Sequence, residues 1–412
     1  MKKSTFFNYE NGIVLMMFFL FGFVFMERLS IVFLFPFIAP DLGLTNADLG
    51  MIVAVLSITW AISGWVFSSL SDLIGSKRKV LLPATLVFSI CSFLSGIATT
   101  FLAMILVRAA MGLAEGPVQP IAQSAILSES TPKRRGFNAG FMQSSLGLIG
   151  ATLTPIIVTA YAVKYSWHGA FYLVGVPGII MFFILAKYMR DPKKAVDDVQ
   201  QEPVKVTRKD YLQVYKNRNT LLCTLISAVF MTWLFVFTTF APVYLTSIGY
   251  TPGQMGLIMA SVGFGSFIWG FVGPAISDKI GRKPTLIIFS FVACLSPLVL
   301  ALVHGSVGLM MILGFFTAVG QACFPLFMAI IPGESIKAGL IASAISVTQL
   351  IGELVGGCVA PVLAGFAADA WGLEAPLYIA CAGAIIGGII AFGLKETAPI
   401  KLKKNELASI AT

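Results

Sequence analysis

Charge is scarce in this chain. Only 11% of its 412 residues are Asp, Glu, Lys or Arg, and 57% are hydrophobic, against roughly 25% charged in a soluble domain. That composition excludes a soluble enzyme. Histidine is nearly missing: the two present, His168 and His304, lie far apart near predicted loops. There is consequently no H-E-x-x-H metal pair and no catalytic Ser with a neighbouring His, and no glycine-rich nucleotide loop occurs either. The six cysteines (91, 223, 294, 323, 358 and 381) are scattered through apolar segments without metal-ligand spacing. They read as small packing residues, with no disulfide framework, metal site or cofactor implied. The first apolar run is too long for a signal h-region and lacks a small-residue cleavage site, so it reads as a retained helix.

What the chain does have is a succession of apolar runs longer than the ~20 residues needed to cross a bilayer. Twelve spans are predicted, at 12–38, 47–70, 80–98, 101–127, 138–162, 169–188, 220–246, 253–276, 285–303, 306–330, 339–366 and 373–394. The fold class is therefore an all-α membrane protein. With both termini in the cytoplasm, every one of the 28 Lys and Arg except Arg28, Arg108 and Lys164 falls in a tail or an inside loop. Positive-inside sorting expects that asymmetry. The net charge of +9 is accordingly a topology signal and does not suggest nucleic acid as a partner. The expected setting is the cell (inner) membrane, with lipid as the surrounding partner and a monomer as the unit.

The chain repeats itself at half its length. Ser71-Asp72-x-x-Gly75 with Lys77-Arg78-Lys79 returns as Ser277-Asp278-x-x-Gly281 with Arg282-Lys283, a shift of 278 − 72 = 206 residues. The same shift maps Gln143 onto Gln349, Gly150 onto Gly356, Pro155 onto Pro361 and Tyr172 onto Tyr378. Six spans per half give a parallel repeat: an N-terminal bundle at 1–188, a cytoplasmic linker at 189–219, a C-terminal bundle at 220–394 and a tail at 395–412. Such repeats hold a substrate between two rocking bundles near the midplane.

Against this apolar background four ionisable residues stand out. Glu27 and Arg28 sit mid-way along the first span, and Arg108 and Glu115 lie on the fourth. A charge at the bilayer centre costs roughly 2.5–3.5 kcal/mol on insertion scales, so such residues mark a substrate or ion pathway by default. Seven residues separate Arg108 from Glu115, two helical turns, so they share a face about 10 Å apart. Adjacent Glu27 and Arg28 point about 100° apart and cannot both face one partner. Gly116, Pro117 and Pro120 then break the helix directly after the carboxylate, which the membrane tolerates only against protein or a water-filled cavity.

The four charges sum to zero. Adding a substrate carboxylate makes the site −1, and one proton on a glutamate restores neutrality, which couples an anion to a proton. The competing reading is a permanent ion-pair network joining the two helices. Glu353 on the eleventh span is a further buried acid, with either a coupling or a helix-packing role. Gln143 and Gln349 are candidate hydrogen-bonders to a polar substrate, with interhelical packing as the alternative. Trp233 stands at the 206-shifted position of Glu27, where it either packs or caps a cavity.

The two loops, Leu70-Ser71-Asp72-Leu73-Ile74-Gly75 and Ile276-Ser277-Asp278-Lys279-Ile280-Gly281-Arg282-Lys283, resemble the signature loop of the major facilitator superfamily. The resemblance implies a gating latch built from Asp72, Gly75 and Arg78 and from Asp278, Gly281 and Arg282. Ser68 and Pro274 replace the usual glycine, and Leu73 and Ser76 replace basic residues, which weakens the first latch. The acid–Arg pair of helix one, Arg108-x6-Glu115-x-Pro117, and Trp167-His168-x-x-Phe171-Tyr172 are similar to the anion:cation symporter branch. That likeness implies proton-coupled uptake of a small organic anion, such as a sugar acid. Arg28 and Arg108 would contact the substrate or balance the acids, and Glu115 and Glu27 would take up protons. Proton-coupled efflux of a drug or metabolite is the alternative; its members carry a Gly-Pro pair in helix five, where this chain separates Gly147 and Gly150 from Pro155.

Overall fold

The computed structural model describes residues 8–131, 134–190, 216–336, 341–398, 400 and 401. Among these, twelve helices are long and apolar enough to cross a membrane. They are α1 (Tyr9–Leu42), α2 (Asn46–Phe67), α3 (Lys77–Ile97), α4 (Phe101–Glu129), α5 (Phe137–Lys164) and α6 (Trp167–Tyr188). The second half supplies α7 (Arg218–Ser247), α8 (Pro252–Ile280), α9 (Arg282–Leu302), α10 (Val307–Glu334), α11 (Ala344–Trp371) and α12 (Glu374–Ala391). No strand occurs among the described residues.

Local chemistry sets the ends. Asn8 caps α1 by accepting the Asn11 N–H at 2.8 Å, and Gly43, at φ 63°, ends it in the left-handed conformation. That makes α1 longer than the expected 12–38. The eleventh helix runs past the expected end at 366 to Trp371, before Gly372 turns out at φ 92°.

By compactness the chain divides into residues 1–198 with 246–263, and 199–245 with 264–412. Most of the expected linker (191–215) and the tail beyond 401 lie outside the described residues.

The duplication is written into backbone geometry as well as sequence. Thr45 and Asp48 form a reciprocal cap before α2: the Thr45 N–H donates to Asp48 Oδ2 at 2.8 Å, and the Asp48 N–H to Thr45 Oγ1 at 3.2 Å. Thr251 and Gln254, 206 residues on, repeat it before α8 at 2.9 and 3.3 Å. Gly43 and Gly249 share positive φ at the same offset, as do Gly75 and Gly281. The Gly75 N–H bonds to Ser71 O at 3.0 Å, and the Gly281 N–H to Ser277 O at 2.9 Å.

Both α5 and α11 widen into a π-helical segment, Leu146–Leu153 and Glu353–Val359, at matching places in the two halves. Within these segments Gly150 packs on Phe25 of α1 and Gly356 on Met231 of α7, again offset by 206. Small residues that let helices approach are the main means of association where lipid removes the hydrophobic drive.

Candidate functional site: a buried charge cluster on α1 and α4

Glycine places α4. A Cβ on Gly112 would stand 2.5 Å from the Leu56 carbonyl oxygen of α2, and one on Gly116 would overlap Ser63 Oγ and the Trp60 carbonyl. The close approach lets Ser63 Oγ donate to the Gly112 carbonyl at 3.1 Å. At Gly116–Pro117 the α4 rod is interrupted, between helical segments Phe101–Glu115 and Val118–Glu129. Glu115 is thus the last residue of the first segment, where the breakers led us to expect a discontinuity.

Glu27, Arg28, Arg108 and Glu115 are all buried. Arg28 turns toward α2: its Nη2 donates to Ser57 Oγ at 3.1 Å, and its guanidinium lies 4.7 Å from the Trp60 ring and 5.7 Å from Phe25. Arg108 turns the other way, with Nη1 donating to the Glu27 carbonyl oxygen at 3.3 Å and the guanidinium 5.4 Å from the Phe171 ring of α6. The Glu27 carboxylate faces α3 and α6, since a Cβ on Gly178 would overlap Ser89 Oγ and stand 3.1 Å from Glu27 Oε1. The neighbours Glu27 and Arg28 therefore diverge, as helical geometry requires.

Both carboxylate oxygens of Glu27 and of Glu115, and Nε and Nη2 of Arg108, are buried without a hydrogen-bond partner. Glu115 lies in the field of both arginines, Glu27 in that of Arg108 and Glu115, and the Cys91 thiol of α3 in that of Glu27, Arg108 and Glu115. These groups form one electrostatic cluster. Each of these buried polar atoms is costly unless the opposite charges around it compensate.

Sequence reasoning passed over Ser57 and Trp60, which hold Arg28, and Ser89, which like the Glu27 carboxylate stands against Gly178. A signal existed: Thr85, Ser89, Ser92 and Ser95 repeat at helical spacing on α3, all fully buried. Gln143 is half-buried on α5 just before the π segment.

In the second half, Gln349 is half-buried on α11, one turn before Glu353, which opens the π segment. The Glu353 carboxylate and the Phe235 ring of α7 both approach Gly357. Trp233 is buried, its indole N–H donates to the Ala293 carbonyl at 3.0 Å, and its ring stacks on Phe237. Its one polar handle is thereby committed to packing.

The two loops differ in their bonding. Arg282 pairs with Asp278 at 2.5 Å and with Glu334 at 2.9 Å, and donates to Ser277 Oγ at 2.6 Å. Glu396 accepts the Arg282 N–H at 2.8 Å, closing the start of α9. Arg78 donates to the Ala186 carbonyl and Lys77 to Ser128 Oγ at 3.1 Å. The side chain of Asp72 lies outside the described residues. At the opposite ends of the helices, Trp167 Nε1 donates to Asp41 at 2.7 Å, and His168 Nδ1 meets the Gly96 carbonyl at 2.7 Å. His304 reaches the Tyr244 hydroxyl at 3.3 Å. Neither histidine belongs to the charge cluster.

Comparison with known proteins places this architecture. The model of the Major Facilitator Superfamily matches residues 16–357 and 235–410. A probable 4-methylmuconolactone transporter of Cupriavidus pinatubonensis is 26% identical over 70% of this chain and 68% of its own. A hexuronate transporter of Bacillus subtilis is 28% identical over 66% and 67%. The quinolone resistance protein NorA of Staphylococcus aureus is 24% identical over 90% and 93%. Among solved structures, an inward-facing bacterial homologue of the human lysosomal transporter Spinster covers 94% of this chain and 95% of its own, at 16% identity and a TM-score of 0.71. The chain is a carrier and not an enzyme, and it belongs to the major facilitator superfamily.

Proposed function

We propose that this chain takes up a small organic anion together with a proton. The observation that carries the reading is the zero-sum cluster of two arginines and two glutamates, buried on α1 and α4, with carboxylate and guanidinium atoms left without hydrogen-bond partners. A fixed pair of positive charges in low dielectric favours a carboxylate-bearing substrate, and the extra negative charge it brings is offset by one proton on a glutamate. Arg28, on an aromatic platform with Ser57, takes the substrate carboxylate. Arg108, turned into the bundle, balances Glu27 and Glu115, and Glu115 carries the transported proton. Gln143 is a further candidate for polar contact in the first half and Gln349 in the second, where Glu353 is a second coupling candidate. Trp233 is left to packing. Two relatives named for organic substrates, one of them a sugar acid, support the anion class. The basic ends of the helices support an orientation with both termini in the cytoplasm.

The test uses proteoliposomes carrying only a pH difference, alkaline inside, and hexuronate as the probe anion. Wild-type protein accumulates the anion above its external concentration. Glu115→Gln retains exchange of labelled for unlabelled anion but loses accumulation; uphill uptake by this variant would sink the proton assignment.

Proton-coupled efflux is the second reading, favoured by the similarity to NorA across nearly the whole chain. It predicts proton-driven extrusion of a quinolone from the same liposomes and no anion accumulation.

A further inference from the structure

Transport chemistry leaves unused a groove of about 380 Å³ along α1 and α6. Leu15, Phe19 and Phe23 line it from α1, and Pro177, Ile180 and Ile184 from α6, with no polar side chain among its walls. The α1 positions recur every four residues, a single helical face. Leu15, Phe19 and Ile180 are 41, 44 and 54% exposed, and walls without a polar side chain suit hydrocarbon better than water. An acyl chain is what these walls match.

Beyond Leu15 and Ile184, toward the ends of the two helices, the chain becomes basic. Tyr9 begins α1 and Arg190 follows α6, and they are tied together: the Arg190 N–H donates to the Tyr9 hydroxyl at 2.9 Å, and that hydroxyl donates to the Arg190 carbonyl at 3.3 Å. The Arg190 guanidinium lies 5.2 Å from the Tyr9 ring. Lys187, nearly one turn earlier, is exposed, as is Arg190. Neither cation has a carboxylate partner among the described residues. Glu10, the acid at this end of α1, is already engaged: it accepts from the Thr131 N–H at 3.2 Å and Asn138 Nδ2 at 3.1 Å, and lies 3.7 Å from Arg134. Six residues separate Leu15 from Tyr9, about 9 Å of helix, and Ile184 stands one turn before α6 ends at Tyr188, two residues ahead of Arg190. That spacing runs from a phosphate at the interface to the start of a hydrocarbon tail, and basic pockets between membrane helices attract anionic headgroups.

We propose that α1 and α6 form a binding site for one anionic glycerophospholipid, its phosphate at Lys187 and Arg190 and an acyl chain in the groove. The assignment stands apart from the transport reading; the orientation decides only which leaflet supplies the lipid.

Native mass spectrometry of the full chain tests it, with phosphatidylglycerol and phosphatidylcholine of identical chains titrated into neutral detergent. One phosphatidylglycerol is retained in preference to phosphatidylcholine. Lys187→Gln with Arg190→Gln removes the preference, by roughly fivefold for each cation. Ile180→Trp fills the groove and reduces both adducts alike. Equal retention of the two lipids by the wild type, or an unchanged preference in the double variant, overturns the proposal. So does a dimer that excludes phosphatidylglycerol and is lost in Ile180→Trp, because the face would then join two copies of the chain.

Discussion

At the residue scale, the cluster is organised by what its neighbours lack. Gly178 of α6 has no side chain where Ser89 Oγ and the Glu27 carboxylate meet. A methyl group there has to displace one or the other, and overpacking of this kind costs about 1–3 kcal/mol. Gly178→Ala should lower the apparent melting temperature of the purified protein and reduce proton-driven uptake together. Adding Ser89→Ala removes the overlapping oxygen, so the double variant should recover part of both losses, a coupling that a thermodynamic cycle measures directly. Equal losses in single and double variants would mean that the Ser89 oxygen is not what the methyl group displaces. The acids and arginines themselves were legible in the sequence, because any charge in so apolar a run is conspicuous. Ser89 and Gly178 were not, since small residues become informative only once a fold shows what they adjoin.

At the scale of elements, the paired π segments of α5 and α11 differ in how tightly their glycines pack. A Cβ on Gly150 would stand 2.6 Å from the Cβ of Phe25 and 3.5 Å from its carbonyl carbon, so a small shift of α5 relieves it. One on Gly356 would overlap the Met231 Cβ and approach both the Met231 carbonyl carbon at 2.6 Å and the Thr232 nitrogen at 2.7 Å. Backbone yields less than side chain, so Gly356→Ala should destabilise more than Gly150→Ala, by on the order of 1 kcal/mol or more. Thermal melts of the two variants in one detergent check the order, and the reverse order would show that α11 has more freedom to shift than α5. The glycine pair was readable as a repeat at offset 206; the widening of the helix around it was not. A π segment is a backbone response to packing and leaves no fixed residue pattern.

At the scale of the molecule, duplication gave two halves one scaffold and different chemistry. The turns, caps and packing glycines recur, whereas Glu27, Arg28, Arg108 and Glu115 answer to Trp233, Leu234, Gly314 and Gln321. The first half holds charge, and the second closes its equivalent space with aromatic packing around Trp233. The two repeated loops show the opposite bias. Arg282 finds Glu334 across 52 residues of chain, and Glu396 across 114, partners too distant for any local pattern to announce. Basic residues at the loop ends then decide how the whole molecule sits. Lys77, Arg78, Lys187, Arg190, Lys279 and Lys283 all fall at one set of helix ends, and only Lys164 of α5 at the other. Each cation resists transfer across the membrane, so the orientation follows from their sum. Alkaline phosphatase, which folds only outside the cytoplasm, should be active when fused after Tyr165 and inactive when fused after Arg190. A fluorescent protein fused after Lys401 should fluoresce from the cytoplasmic side. Activity of the Arg190 fusion would reverse the topology, and with it the leaflet that supplies lipid to the α1–α6 groove.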